Sequence, residues 1–169
     1  MRARSREARR HDRVIEVEIP GAATLRLEHL VLDYNGTLAV DGGLLPGVKD
    51  TLAALSSRLE IHVVTADTFG RARDELAGLP ARLSVLPGAD QDRAKLEYVE
   101  RLGCSSVVAI GNGRNDALML RQSALSIVVV QAEGAAGDSV TAAMIVGTSI
   151  TNALELLLHP KRLIATLRR

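Results

Sequence analysis

An aspartate directly after a short apolar run is the feature of this chain best suited to covalent chemistry: Leu30-Val31-Leu32 leads into Asp33-Tyr34-Asn35-Gly36-Thr37-Leu38. A carboxylate at the carboxyl end of a buried strand can serve as a nucleophile, and a Gly-Thr turn beside it offers backbone N–H groups to a phosphate. Three further points carry matching chemistry. Thr65 follows Ile61-His62-Val63-Val64 and opens Thr65-Ala66-Asp67-Thr68, where its hydroxyl can donate to a phosphate oxygen at a helix start. Lys95, one of three lysines among 21 basic residues, falls early in a predicted helix and could neutralise both nucleophile and phosphoryl group. Gly111-Asn112-Gly113-Arg114-Asn115-Asp116 places polar oxygens four apart in a glycine-rich loop, which suits a hard divalent cation such as Mg²⁺.

These residues need a scaffold that brings strand ends together, and the pattern of the chain supplies one. Apolar runs at 30–32, 61–64, 83–86, 107–110 and 127–130 alternate with helical stretches at 48–59, 68–79, 91–102 and 117–124. Strands separated by single helices predict a parallel α/β sheet with helices on both faces. In such a sheet, ligands bind beyond the carboxyl ends of the strands, where all four points lie. A final strand at 143–146, an apolar helix at 150–158 and a terminal helical turn complete the pattern. Alternation over 14–19 and 25–27, broken by Pro20-Gly21, predicts an antiparallel hairpin at a sheet edge ahead of the core. Residues 39–46, with Asp41-Gly42-Gly43 at the tip, predict a short flap, and 131–138 a loop at the rim of the site.

Taken together, DYNGTLA, TAD, Lys95 and GNGRND resemble motifs I to IV of the haloacid dehalogenase (HAD) superfamily over roughly residues 29–158. Within it they are most similar to the phosphorylation domain of P-type ATPases and to small soluble relatives that share an IPG hairpin before motif I. The resemblance implies a three-layer α/β/α Rossmann-like fold and a Mg²⁺-dependent phosphohydrolase or phosphotransferase working through an aspartyl phosphate on Asp33. It implies that Asn35, Thr65 and Lys95 share in catalysis, and that Gly36, Thr37, Thr65, Ala66, Lys95 and Asn115 bind the phosphoryl group. Asp33, Asn35 through its backbone carbonyl, Asn112 and Asp116 are the implied metal ligands. Two positions depart from the pattern. At Asn35 the phosphatases of the superfamily carry a second Asp as general acid and base, and at Asn112 an amide replaces the usual Asp. A positioned acid/base is worth about 10² to 10⁴ in rate, so turnover is expected to be slow unless Asp67 substitutes.

About 30 residues separate Asp33 from Thr65 and Thr65 from Lys95, room for one βαβ-type unit and no cap domain. An uncapped site suits a large phosphorylated substrate, or a small one enclosed by a neighbouring subunit of a homo-oligomer. Haloacid dehalogenases themselves need a cap, which disfavours that activity. The rival from another class is a catalytically degenerate module that binds a phosphorylated ligand or protein partner, as the two amides suggest.

Composition sets the remaining bounds. With 47% apolar residues and a net charge of +1, the chain is expected to form one domain over 14–169 without a field that draws nucleic acid or membrane. Aromatics at 2% argue against base stacking on the surface. Residues 1–13, with six arginines, predict a solvated basic tail without a secretory apolar stretch. The single cysteine, Cys104, fits a reducing, cytoplasmic setting.

Overall fold

The computed structural model describes residues 13–67 and 70–169; the basic tail predicted over 1–13 lies outside them except for Arg13. Elements run β1 (Ile15–Val17), β2 (Leu25–Leu27), β3 (His29–Leu32), β4 (Ala39–Val40), β5 (Gly43–Leu44), α1 (Val48–Leu55), β6 (Glu60–Thr65), α2 (Ala72–Glu75) and β7 (Ala81–Val85). They continue with α3 (Gln91–Leu102), β8 (Val107–Gly111), α4 (Ala117–Gln122), β9 (Leu125–Val129), α5 (Gly137–Ala142), β10 (Ile145–Gly147), α6 (Ile150–Leu158) and α7 (Pro160–Leu167).

Six strands form one sheet in the order β10-β9-β8-β3-β6-β7, every neighbouring pair parallel. β3 is central, and its residues Leu30, Val31 and Leu32 are fully buried, as expected of a strand covered on both faces. Alternate residues feed different layers. Leu30 and Leu32 pack with Leu52, Leu55, Leu154 and Leu157 of α1 and α6, while Val31 packs with Val99 of α3 and Met119 and Leu120 of α4. This is the predicted three-layer α/β/α arrangement.

The N-terminal hairpin forms, but as its own two-stranded sheet rather than as an edge of the main one. Its buried Ile15, Val17 and Leu27 anchor it by packing into the core. Of the predicted helix over 68–79, residues 68 and 69 lie outside the described residues, and the remainder holds only the single turn of α2. Gly70 and Gly78, at φ 65° and 79°, take the left-handed conformation that ends helical propagation on either side. β9 starts two residues earlier than predicted, because Ser126 is tolerated inside the strand: it is buried, and its hydroxyl accepts from the Met144 N–H. The flap is present as β4–β5, with Asp41 and Gly42 at φ 50° and 79°, the signs a two-residue hairpin turn requires.

Candidate active site

Asp33 is fixed by the sheet it ends. Its N–H donates to the Ile110 carbonyl at 3.0 Å, extending the β3–β8 ladder by one rung. The register Leu32↔Val63 then sets Asp33 one residue short of Thr65 on the adjacent strand. Beyond Asp33 the chain winds about the Tyr34 carbonyl, which accepts from Thr37, Leu38 and Ala39 at 3.2, 2.9 and 3.0 Å. The Gly36 N–H donates to the Ala39 carbonyl at 2.8 Å. The N–H groups of Gly36 and Thr37, expected to cradle a phosphate, are therefore consumed within the turn, and these two residues serve the site in other ways.

Gly36 makes room. At φ 79°, a Cβ there would lie 2.3 Å from the Asn112 amide nitrogen, so only glycine lets that side chain reach the site. Thr37 contributes its hydroxyl, 3.1 Å from Asp33 Oδ2 and 3.2 Å from Asn112 Oδ1. One hydroxyl hydrogen cannot serve two acceptors at once, so these two oxygens converge on a point that is short of positive charge. The Asn112 amide is oriented by its own donation to the Gly134 carbonyl at 3.0 Å.

Lys95 projects from the second turn of α3 and is 1% exposed, although it reads equally well in the sequence as a surface lysine. Its Nζ donates to Asp33 Oδ1 at 2.7 Å and to Asp116 Oδ1 at 2.6 Å. Burial alone would lower its pKa, but the carboxylates of Asp33 and Asp116 outweigh burial and hold it raised. For Asp33 the balance goes the other way. Burial and the charge of Asp116 raise its pKa to about 6, against the opposing pull of Lys95 and Thr37. Two buried carboxylates and one ammonium leave the cluster one positive charge short.

Asp116 is fully buried in a 3-10 turn, Arg114–Asp116, where its Oδ2 accepts from the N–H groups of Asn112 and Gly113 at 2.9 and 2.8 Å. With Oδ1 on Lys95 as well, Asp116 holds both the loop and the ammonium, and Oδ1 keeps one lone pair. Gly111 is required by the same contact, since a Cβ would come 2.5 Å from the Asp116 carboxylate.

Thr65 is buried at the end of β6, its Oγ1 accepting from the Asp67 N–H at 2.9 Å and so keeping its hydrogen for a ligand. Asp67, weighed as a substitute acid, instead accepts from the Ala72 N–H at 3.0 Å and caps α2. Ala66 follows on the same loop, half-buried. The Asn115 amide donates to Gln91 at 2.8 Å, which turns it toward the start of α3 rather than onto Asp33. Asn35 is partly exposed, yet its amide oxygen is buried without a hydrogen-bond partner among the described residues.

Gln131, just past β9, opens the loop expected at the rim of the site, but its own role was not singled out in the sequence. Its amide donates to the carbonyls of Gly36 and Thr37 at 3.1 and 2.9 Å, and its oxygen accepts from the Ile150 N–H at 2.6 Å. It ties the Asp33 turn to the start of α6. The rule that found Asp33 and Thr65, a polar residue directly after a predicted strand, would have found it too, since the apolar run at 127–130 ends just before it. The loop it opens also holds the flap, through Asp41 N–H to Glu133 at 3.1 Å. Tyr34, from beneath, donates its hydroxyl to Gly42 O at 3.0 Å. Between Asp33 and Thr65 the chain has only the flap and α1, and the described residues between Thr65 and Lys95 contain only α2 and β7. There is no cap.

No protein-family model matches this chain. The uncharacterized protein MJ0073 of Methanocaldococcus jannaschii is 42% identical over 79 residues, covering 44% of this chain and 85% of that one. MJ0072 of the same organism, also uncharacterized, is 49% identical over 39 residues, covering 23% of this chain and 89% of that one. The chain belongs to the family of these two proteins. Among solved structures, its fold is similar to 3-deoxy-D-manno-octulosonate 8-phosphate phosphatase of Moraxella catarrhalis, determined with magnesium, phosphate and KDO. The TM-score is 0.61 and the identity 18%, over 84% of this chain and 94% of that one. The cobalt-bound phosphatase YrbI of Haemophilus influenzae matches with TM-score 0.61 and 15% identity, over 85% and 94% of the two chains. The haloacid dehalogenase-like protein SP0104 of Streptococcus pneumoniae matches with TM-score 0.57 and 12% identity, over 76% and 97%. The fold is that of HAD family hydrolases. Among the described residues no helix is long and apolar enough to cross a membrane.

Proposed function

We propose that this member of the MJ0073 family is a Mg²⁺-dependent phosphohydrolase or phosphotransferase that works through a phosphoryl group carried on Asp33. The observation that carries this reading is the buried Lys95 ammonium bridging Asp33 and Asp116, with the Asn112 amide oxygen and Thr37 hydroxyl gathered on the other Asp33 oxygen. The HAD fold of the neighbours supports it. The DYNGTLA, TAD and GNGRND segments support a place near the P-type ATPase branch.

The donor set fits a hard cation: the Asp33 and Asp116 carboxylates and the Asn112 amide oxygen surround a cluster lacking one positive charge, and the motif implies the Asn35 backbone carbonyl as a further ligand. Asp33, Asn35, Asn112 and Asp116 would hold Mg²⁺, which when bound supplies charge neutralisation for the phosphoryl oxygens. An Asp33 oxygen forms the bond to phosphorus as the bond from phosphorus to the leaving oxygen breaks. Lys95 keeps Asp33 ionised and offsets charge on the phosphoryl group, and the Thr65 hydroxyl donates to one of its oxygens. Asp116 also anchors Lys95 and the Gly111–Gly113 backbone.

With an amide at Asn35 and Asp67 spent on capping α2, neither of these side chains supplies a proton to the leaving group. Activated donors whose leaving oxygen needs no proton, such as acyl phosphates, are accordingly the favoured class. Hydrolysis of the phosphoryl-enzyme lacks the same base and is slow. The substrate is a phosphorylated small molecule or macromolecule that an uncapped site can admit.

A second reading, a module that binds phosphorylated ligands without turnover, is favoured by the two amides and by the unsatisfied Asn35 oxygen. Fluoroberyllate, which bonds to a nucleophilic carboxylate as a phosphoryl mimic, separates the two. With Mg²⁺ it should raise the melting temperature of the wild type but not of Asp33→Asn. No shift in the wild type, or an equal shift in both, would overturn the enzymatic reading.

A further inference from the structure

The amino ends of the strands, opposite the Asp33 site, hold a second cluster that the phosphoryl chemistry does not use. His29 opens β3, and Glu60 and His62 lie at the start of β6. The parallel register pairs His29 with Glu60 and Val31 with His62, so the three side chains share one face of two hydrogen-bonded strands. His29 Nδ1 lies 3.2 Å from His62 Nε2 and 3.7 Å from Glu60 Oε2, and all three atoms fall within 4.8 Å of one another. From His29 to Asp33 is four residues of extended chain, roughly 13 Å, so the cluster is separate from the Asp33 site.

We infer that His29, Glu60 and His62 form a binding site for a borderline divalent metal of the Zn²⁺ class, which pins β3 to β6 at their amino ends. The spacing is the first argument. Ligands about 2.0–2.1 Å from a tetrahedral ion stand roughly 3.3 Å apart, close to the separations His29 already makes. Two imidazoles and one carboxylate are the ligand set that Zn²⁺ takes when a fourth position stays open, and they distinguish this site from the all-oxygen set around Asp33.

The outer contacts are the second argument. Metal-ligating histidines are oriented by a partner on the far ring nitrogen. His62 has one: Tyr98 Oη lies 2.9 Å from Nδ1, and Ser84 Oγ lies 3.4 Å from the same phenol. With the Nδ1 hydrogen given to Tyr98, the His62 Nε2 lone pair faces the cluster. Glu60 is held likewise, its Oε1 paired with Arg82 at 2.5 Å while Oε2 faces His29.

Access is the third argument. His62 is buried, but the side chains of His29 and Glu60 are 16% and 21% exposed, enough for an ion to enter and for water to complete its shell. Arg82, 71% exposed, is free to swing into solvent and relieve repulsion from the incoming ion. Without metal, His29 Nδ1 shares a hydrogen bond with His62 Nε2, and with the His62 Nδ1 hydrogen on Tyr98 it is His29 Nδ1 that donates. With an ion bound, His29 takes the tautomer that carries its hydrogen on Nε2, leaving the Nδ1 lone pair for the metal.

Calorimetric titration of chelator-stripped protein with Zn²⁺, in excess Mg²⁺, tests the site. The expected result is one equivalent bound by the wild type and by Asp33→Asn alike. The dissociation constant should rise at least about tenfold in His29→Gln and in Glu60→Gln, partly exposed positions chosen to spare the core. Circular dichroism confirms that each variant is folded. Co²⁺ in place of Zn²⁺ should give the intense visible absorption of a four-coordinate site in the wild type and lose it in His29→Gln. Absence of stoichiometric Zn²⁺ binding, binding unaltered in His29→Gln, or binding abolished in Asp33→Asn would each overturn the inference.

Discussion

Replacing Lys95 with Met keeps the bulk of the side chain and removes the ammonium that separates two buried carboxylates. The Asp33 and Asp116 oxygens on either side each lie within 2.7 Å of Nζ, so they are about 5 Å apart or less. At an effective dielectric of ~20, two like charges at that distance repel by about 3 kcal/mol. Removing one partner from a buried ion cluster costs about 3–5 kcal/mol in general, so the two figures agree. The fold can escape part of this cost by protonating one carboxylate. In the variant, a carboxyl pKa then stands above its unfolded value. The folded state holds a proton that the unfolded state has released, and the penalty grows as pH rises through that raised pKa. Urea denaturation followed by far-ultraviolet circular dichroism should therefore show Lys95→Met less stable than wild type by about 3 kcal/mol or more at pH 8, and by at least about 1 kcal/mol less than that at pH 5. Mg²⁺ should also narrow the gap at pH 8. A difference below about 1 kcal/mol, or one that does not change with pH, would refute the argument that these charges are buried together.

Other substitutions probe the remaining parts of the account. Asn35→Asp restores a carboxyl where the proton is missing and should raise phosphatase turnover by about 10²-fold or more, measured on a phosphomonoester with Mg²⁺; unchanged turnover would show that proton transfer is not limiting. Gly36→Ala drives a Cβ to 2.3 Å from the Asn112 amide at a φ of 79°, so both the melting temperature and Mg²⁺ affinity by calorimetry should fall. Gln131→Ala cuts the link between the Asp33 turn and α6, and should lower activity with little loss of global stability. His62, whose pKa burial lowers to about 4, binds its proton in the unfolded chain first. In EDTA, stability should therefore fall by up to roughly 3 kcal/mol as pH drops from 6.5 toward 4, a limb that His62→Gln should abolish in denaturation curves.

The convergence of Asp33, Thr65, Lys95 and the 111–116 loop was legible in the sequence because each stands at a strand end or an early helix turn, and a parallel sheet brings such points together. Helices α3 and α6 were legible to the residue. Their apolar stripes are periodic and their ends are marked, α3 by Gly103 and α6 by the Ser149 cap. What escaped was set by tertiary contact. The length of α2 depended on two glycines taking positive φ, which sequence permits but does not require. The anchoring of the 111–113 backbone by Asp116 depended on which oxygens meet Lys95 and the loop N–H groups, and no spacing rule encodes that. His62 sits in an apolar run and reads as core until β3 brings His29 beside it.

The central claim is that Asp33 itself takes up the phosphoryl group, and acid-quenched trapping tests it most directly. Protein mixed with Mg²⁺ and an acyl phosphate is quenched in acid, digested and sequenced by mass spectrometry. The account predicts one added phosphoryl group on the peptide containing Asp33, absent in Asp33→Asn and shorter-lived in Asn35→Asp. An unmodified Asp33 peptide in the wild type, or label retained by Asp33→Asn, would contradict it.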